Sequence, residues 1–96
     1  MASYVHTVFF AFRPDVDDAQ VNAMIRDAVA LTAIPSVRLL RCGRRDETVQ
    51  RPVSDTSFDV GLLVCFDDRQ GYDEYSVHPA HADFVARHKA SWAGLR

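Results

Sequence analysis

Two segments of this chain are apolar on both faces of a β-strand, and this pattern constrains the fold most strongly. In residues 4–12 and 58–66, aromatic, aliphatic and β-branched side chains occupy nearly every position on both alternating faces. A strand with one solvated face alternates apolar and polar residues, whereas a strand buried on both sides does not. Both segments are therefore predicted to be central strands that are covered on two sides.

A helix is predicted between these strands. Asp17 followed three residues later by Gln20 has the spacing of a capping box, in which side chains bond the free N–H groups of the first turn. Apolar and small residues then recur at intervals of three and four, and Pro35 ends the pattern. The predicted buried stripe consists of Val21, Met24, Ile25, Ala28, Val29 and Thr32.

The remainder of the chain predicts one weaker strand and two more helices. Residues 37–42 form an imperfectly alternating strand, and residues 43–57 are polar and rich in turn formers, which predicts a long loop. A short helix capped by Asp67 or Asp68 is expected to run toward Ser76. Pro79 favours the first position of a last helix. That helix is expected to carry His81, Phe84, Val85, His88 and Trp92 on one face.

This order of elements predicts an α+β fold in which residues 1–96 form a single domain. The helices would cover one face of an antiparallel sheet. Because the two central strands are apolar on both faces, the second face needs cover that the helices do not supply. We therefore expect a homodimer that packs through the sheet face.

Composition restricts the classes of partner. The chain is 48% apolar and 25% charged, with a formal net charge of −2 and charges scattered along its length, which is typical of a folded domain and unfavourable for binding nucleic acid. The longest apolar stretch is much shorter than the ~20 residues of a membrane helix. The N-terminal residues do not have the pattern of a secretory signal. We expect a cytoplasmic protein that partners neither nucleic acid nor a membrane.

The segment 75–81, Tyr-Ser-Val-His-Pro-Ala-His, concentrates polar side chains suited to proton transfer. His81 falls in the first turn of the last helix, where the positive end of the helix dipole favours the neutral, proton-accepting imidazole. Tyr75 could donate a hydrogen bond to a carbonyl or to a developing enolate. His81 could therefore act as a general base, and Tyr75 could polarise the carbonyl group by donating a hydrogen bond to it.

Structural roles for the same residues remain open. His81 and His6 could be core histidines bonded to the backbone, His78 occupies a helix-cap position before Pro79, and His88 could pack within the core. A metal site built from the first three histidines has no acidic ligand beside it, and no phosphate-binding loop is present in the sequence. No metal and no cofactor are therefore expected.

The chain resembles the stress-responsive A/B barrel (Dabb) family over nearly its whole length. The similarity lies in the strand Val-His-Thr-Val-Phe-Phe-Ala-Phe at 5–12, in Cys-Phe-Asp-Asp at 65–68 and above all in the segment 75–81 followed by Phe84-Val85. The resemblance implies a ferredoxin-like monomer that pairs sheet to sheet into a dimeric α/β barrel. Because only four residues follow Trp92 in this sequence, the family's fourth strand is predicted to be missing or vestigial.

The resemblance also implies a chemistry. One plant member of the family is a polyketide cyclase that closes a linear thioester by aldol condensation. By that likeness Tyr75 would polarise a carbonyl and His81 would remove a proton, with His6 and His78 binding substrate in the same pocket. A further pocket histidine of that enzyme corresponds to Val60 here, so part of the polar lining differs.

Two functions therefore stand as hypotheses. In the first, the protein binds a small apolar or carbonyl-rich metabolite between sheet and helices and acts on it by acid-base chemistry without a cofactor. In the second, it is a non-catalytic homodimeric structural or stress-associated protein whose histidines are structural. The sequence leaves open whether the protein is an enzyme.

Overall fold

The computed structural model describes residues 3–46 and 58–95. The α+β class predicted from the sequence is confirmed. In chain order the elements are β1 (Tyr4–Phe12), α1 (Asp18–Ala30), β2 (Leu39–Arg44), β3 (Val60–Phe66), α2 (Arg69–Val77), α3 (Pro79–His88) and β4 (Trp92–Leu95). Short 3₁₀ turns at Leu31–Ala33 and Lys89–Ser91 follow α1 and α3.

The four strands form one antiparallel sheet in the order β2-β3-β1-β4. The two segments that are apolar on both faces, β1 and β3, are the central strands, and they pair from Tyr4↔Phe66 to Phe10↔Val60. β4 pairs only with the last part of β1, from Phe10 to Phe12, and the register shifts there. The fourth strand, which was predicted to be missing or vestigial, is present as Trp92–Leu95 and completes a four-stranded sheet.

The sheet has one covered face and one open face. Alternate residues of β1 and β3 point toward the helices, so Phe10, Val60 and Phe66 are buried there, together with Met24 of α1. On the opposite face, Val5, Phe9 and Leu39 are exposed. The described residues thus cover only one face of strands that are apolar on both.

The helix starts follow the sequence signals. The Asp17 carboxylate accepts the Gln20 backbone N–H at 2.8 Å, and the Gln20 side chain accepts the Asp17 N–H at 2.9 Å, which completes the capping box. Asp68 caps α2 by accepting the Gly71 N–H at 3.0 Å, and Pro79 occupies the first turn of α3. A Cβ on Gly71 would lie 3.1 Å from the Phe66 Cβ, so this glycine lets α2 lie close to β3.

Several sequence predictions were wrong in detail. Val29 is exposed, because α1 turns it away from the sheet. Trp92 does not lie on the last helix: α3 ends at His88, a 3₁₀ turn redirects the chain, and Trp92 opens β4 with its ring 4.9 Å from that of Phe10. β2 begins later than predicted and continues through Gly43 and Arg44. The rest of the predicted loop, residues 47–57, lies outside the described residues.

Candidate functional site

A cavity of about 380 Å³ lies between the covered face of the sheet and helices α2 and α3. Its volume is within the usual range for small-molecule sites. Aliphatic and aromatic side chains provide most of its wall: Val8, Phe10, Leu62, Phe84, Val85, Trp92 and Leu95. The polar groups at the cavity belong to His6, Thr7, Tyr72, Tyr75 and His81. The cavity is therefore apolar with a small set of hydrogen-bonding groups.

Tyr75 and His81 approach each other from different helices. Tyr75 lies on α2, His81 lies in the first turn of α3, and the break at His78-Pro79 folds the two helices so that the ring centroids are 4.6 Å apart. The Tyr75 side chain is 2% exposed and packs on Phe66. Its hydroxyl has no hydrogen-bond partner among the residues that the structure describes.

His6 reaches the same cavity from the sheet. It lies on the covered face of β1, and its ring centroid is 4.9 Å from that of Tyr72 on α2. Tyr72 also contacts Tyr4 and Phe66, and the Arg69 guanidinium lies 5.9 Å from the centre of its ring. His6 is thereby held against α2 by an aromatic cluster.

His78 has a different position. Its Nδ1 accepts the Ala80 backbone N–H at 3.0 Å and so caps α3. It is not among the residues that line the cavity. Three of the four predicted site residues, His6, Tyr75 and His81, therefore share one space, and His78 caps α3 outside the lining of that space.

Burial controls the protonation of the cavity groups. It lowers the pKa of His6 and is the largest cause that lowers the pKa of His81. A hydrogen bond between the His81 ring and the Ser76 backbone raises the pKa of His81 in part, and the charge of His6 lowers it further. Burial, with smaller contributions from Tyr72 and Cys42, raises the pKa of Tyr75 to about 12. At pH 7 both imidazoles and the phenol are therefore neutral.

The His81 ring has one nitrogen available for chemistry. The Ser76 backbone raises the pKa of His81, as a carbonyl does when a ring N–H points toward it. In a neutral imidazole the second nitrogen is then an acceptor. The arrangement thus combines a neutral base, a neutral phenol donor and a second imidazole around one apolar space.

No Asp, Glu, Lys or Arg is among the residues that line the cavity. Nor do the described residues, 3–46 and 58–95, contain three or more His, Cys, Asp or Glu side chains grouped to hold a metal ion. Cys42 and Cys65 are free thiols, and burial raises the pKa of Cys42 to about 11. None of the helices in the described ranges is long and apolar enough to cross a membrane.

Sequence reasoning missed two cavity residues, Tyr72 and Trp92. Tyr72 precedes Tyr75 by three residues, a spacing that puts both phenols on one helix face, so helical periodicity could have identified it. Trp92 was assigned to the wrong element. No sequence signal indicated that its ring would close the cavity beside Phe10 and Phe84.

Comparison with known proteins gives a family and a fold. Residues 5–95 match the model of the Dabb family, described as the stress responsive A/B barrel domain. No curated protein matches the sequence.

Solved structures share the fold at low sequence identity. A dimeric ferredoxin-like protein of unknown function from Thermobifida fusca is 21% identical, with a TM-score of 0.80 over 98% of this chain and 85% of its own. A Dabb family protein with a ferredoxin-like fold from Mesorhizobium loti is 25% identical, with a TM-score of 0.79 over 98% and 90%. The hydroxynitrile lyase of Passiflora edulis is 16% identical, with a TM-score of 0.83 over 98% and 87%.

Proposed function

This chain belongs to the stress responsive A/B barrel family, and we propose that it binds an uncharged, carbonyl-bearing apolar molecule and moves a proton on it. The ligand would occupy the cavity between the sheet and helices α2 and α3. Tyr75 and His81 would act on its carbonyl group, His6 would assist them, and no cofactor would take part. The family itself does not determine the reaction.

The observation that carries this proposal is the pairing of Tyr75 with His81 at the cavity wall. The Tyr75 ring is buried, but its hydroxyl is not among the enclosed polar atoms that lack a partner, so it reaches open space at the cavity. A tyrosine hydroxyl normally bonds to protein, water or a ligand. Among the described residues this hydroxyl has no hydrogen-bond partner, and the Tyr75 ring lies beside the His81 imidazole. A ligand carbonyl would supply the missing acceptor.

The proton transfer follows from the protonation states. The acceptor nitrogen of His81 would take a proton from the carbon next to the ligand carbonyl. The electron pair of the C–H bond would form a C=C bond to the carbonyl carbon, and the C=O π pair would move to the carbonyl oxygen. The resulting enolate would accept the hydrogen bond of Tyr75. Because the pKa of Tyr75 is about 12, the phenol stays protonated at pH 7 and remains a donor.

His6 supplies a second proton-transfer group. The charge of His6 lowers the pKa of His81, so protonating one imidazole disfavours protonating the other. Both rings would be neutral at rest, and once His81 has taken a proton from the ligand, His6 would stay neutral.

The open face of the sheet supports a homodimer. Val5, Phe9 and Leu39 are exposed there, and the similar structure from Thermobifida fusca is described as dimeric. A second copy packed sheet to sheet would cover these residues and leave the cavity, which lies on the other face, accessible. The Passiflora enzyme of similar fold is a lyase, which supports the compatibility of this fold with catalysis.

Exchange of ketone α-protons tests the proposal. The protein is mixed with 2-nonanone in D₂O, and NMR measures how fast the protons next to the carbonyl are replaced. We expect acceleration by the wild type and a loss of roughly tenfold or more in His81→Gln. His78→Asn is the matched control, because it removes an imidazole outside the cavity and leaves a side chain that can cap α3. Equal rates for wild type and His81→Gln would contradict proton abstraction by His81.

The non-catalytic hypothesis has one supporting observation. The Ser76 backbone raises the pKa of His81, as the partner of a structural histidine would. If this interaction were the role of His81, His81→Gln would lower the thermal stability substantially and wild-type protein would leave 2-nonanone unchanged. Unfolding curves recorded beside the exchange experiment therefore separate the two hypotheses.

A further inference from the structure

Three residues of the open face lie in one line across the sheet. Phe9 of β1 pairs directly opposite Gly61 of β3, and Gly61 pairs directly opposite Gly43 of β2. Residues that pair in this way point to the same face of a sheet, so all three belong to the face that the helices do not cover. Because neighbouring strands are about 4.8 Å apart, Phe9 and Gly43 are separated by about twice that distance, with Gly61 midway between them.

The Phe9 ring is a supported projection on this face. A Cβ on Gly61 would lie 3.8 Å from the Phe9 ring, so the ring lies over this glycine in ordinary van der Waals packing. The Phe58 ring packs on it with a centroid separation of 4.9 Å. Phe9 nevertheless remains 39% exposed. Its neighbours therefore fix the position of a large apolar ring whose outer part contacts nothing in the described residues.

Gly43 forms a notch in the same face. A Cβ at Gly43 would meet no atom within 4 Å, so no neighbour among the described residues requires a glycine here. None of the described glycines has a positive φ, and β2 pairs with β3 without a shift in register, so neither a turn nor a bulge requires it. A glycine inside a strand often marks a place where a ligand or another chain approaches the main chain closely. A groove of about 490 Å³ lies there, open to such a group.

We infer that Phe9 of each copy inserts over Gly43 of the other copy in the sheet-to-sheet homodimer. This inference rests on the homodimer of the proposed function and specifies its axis. A two-fold axis that runs along β3 above Gly61, between two facing sheets, exchanges the positions of β1 and β2. It therefore brings the Phe9 ring of one copy over the notch of its partner, and the symmetry repeats the contact.

Arg41 favours an aromatic occupant of the notch. It lines the groove on the same face, two residues before Gly43, and its side chain forms no ion pair within residues 3–46 and 58–95. A guanidinium covered by aliphatic groups alone loses hydration without compensation, whereas the face of an aromatic ring attracts it. The other large exposed side chains of this face, Val5 and Leu39, are aliphatic. Phe9 is therefore the occupant that suits Arg41.

Exchange of the ring and the notch tests the inference, with the dimer dissociation constant measured by sedimentation equilibrium. Gly43→Phe fills the notch, and we expect it to weaken the dimer roughly tenfold or more. Phe9→Ala removes the inserted ring and should also weaken the dimer. The double variant carries the ring at position 43 and the small residue at position 9. Because the axis exchanges these two positions, the double variant should dimerise more tightly than either single variant.

Gly94→Phe is the matched control. Gly94 lies on β4, and a Cβ there would also meet no atom within 4 Å. With the inferred axis, β4 of one copy extends beyond the edge strand β2 of its partner, so Gly94→Phe should keep the wild-type dissociation constant. Circular dichroism establishes that each variant is folded. If Gly43→Phe does not fold, Gly43→Val adds less bulk to the same open space and replaces it in both comparisons.

The outcomes separate this inference from the homodimer itself. A wild type that stays monomeric overturns both. A dimeric wild type with equally tight dimers in Gly43→Phe overturns the insertion of Phe9 and leaves the homodimer intact. A double variant that binds no more tightly than Gly43→Phe has the same consequence, since the two positions would then not be exchanged by the axis. A dimer weakened as much by Gly94→Phe would mean that any added bulk on the face suffices, which also overturns the inference.

Discussion

The imidazole of His88 and the carboxylate of Asp27 meet at 2.7 Å and join α3 to α1. Both side chains are mostly buried, since that of His88 is 11% exposed and that of Asp27 is 27% exposed. Arg87 reaches the same carboxylate oxygen at 3.3 Å. Because α3 also carries His81 and Phe84, this contact helps to hold one wall of the cavity in position.

Loss of the Asp27 charge should destabilise the fold. The hydrogen bond from His88 is the largest cause that lowers the pKa of Asp27, so the folded protein favours the ionised carboxylate. We expect Asp27→Asn to cost about 1 kcal/mol, measured by urea unfolding at pH 7. Asp83→Asn is the control, because Asp83 pairs with Arg87 at the exposed surface. Equal effects of the two substitutions would contradict a special role for the His88 contact.

The contact between Asp27 and His88 also predicts how the stability of the protein changes at acidic pH. A carboxylate whose pKa is lowered by folding stabilises the protein above its ordinary pKa of 3.8, and this stabilisation is lost as the pH falls through the lower folded value. Unfolding experiments between pH 5 and about 2 should therefore show a steeper loss of stability in wild type than in Asp27→Asn. Parallel curves would argue that the Asp27 pKa is not coupled to folding.

Tyr75→Phe should separate stability from function. The Tyr75 hydroxyl has no partner in the described structure, so its removal leaves no group unsatisfied, and the ring can keep its contacts with Phe66 and His81. We expect thermal stability to stay equal or to rise. Exchange of 2-nonanone protons should slow, because the enolate loses its hydrogen-bond donor. A large fall in stability with unchanged exchange would assign the hydroxyl a structural role instead.

The cavity histidines predict a second pH effect, near neutrality. Burial lowers the pKa of both His6 and His81 from 6.5, so below pH 6.5 the unfolded chain binds more protons than the folded one. Stability is therefore complete above this pH and decreases as the pH falls below it. Thermal unfolding from pH 8 to 5 should show the decrease, and a double substitution, His6→Phe with His81→Phe, should reduce it. An unchanged slope in the double variant would contradict the burial of these imidazoles.

The open face of the sheet should control assembly. We expect wild type to sediment as a dimer and Phe9→Lys to sediment as a monomer, because a buried lysine at the centre of a sheet-to-sheet interface is costly. Val77→Lys is the matched control, since Val77 is 79% exposed on α2, away from the sheet. Dimers that survive in Phe9→Lys would place the interface elsewhere.

The features that were predicted correctly from the sequence depend on interactions between residues that are close in the chain. The capping box of Asp17 and Gln20, the Asp68 cap and the break at Pro79 each depend on residues only a few positions apart, so they could be predicted without knowing the fold. The two-sided apolar pattern of β1 and β3 identified the central strands for the same reason. The roles of Tyr75 and His81 were inferred from their residue types and from the helix start, and the family resemblance implied the same roles; they stay predictions.

Trp92 illustrates what sequence periodicity could not predict. Its spacing from Phe84 and His88 fits a helix, but the 3₁₀ turn at Lys89–Ser91 ends α3 and starts β4. That outcome depends on the packing of the indole against Phe84 and against Phe10, which lies at the other end of the chain. The position of the His78 side chain could not be predicted either. The sequence was compatible with a side chain in the pocket or at the helix cap, and in the structure it accepts the Ala80 N–H at the start of α3.

The sequence by itself determined the class of fold, the central strands and the helix starts, because these follow from side-chain alternation and from contacts within a few residues. Only the tertiary structure decided which imidazoles face the cavity and that Trp92 opens a strand paired with β1. These features depend on contacts between residues such as His6 and Tyr72 that are far apart in the chain. Their distances are set by the packing of whole helices on the sheet, which no local pattern encodes.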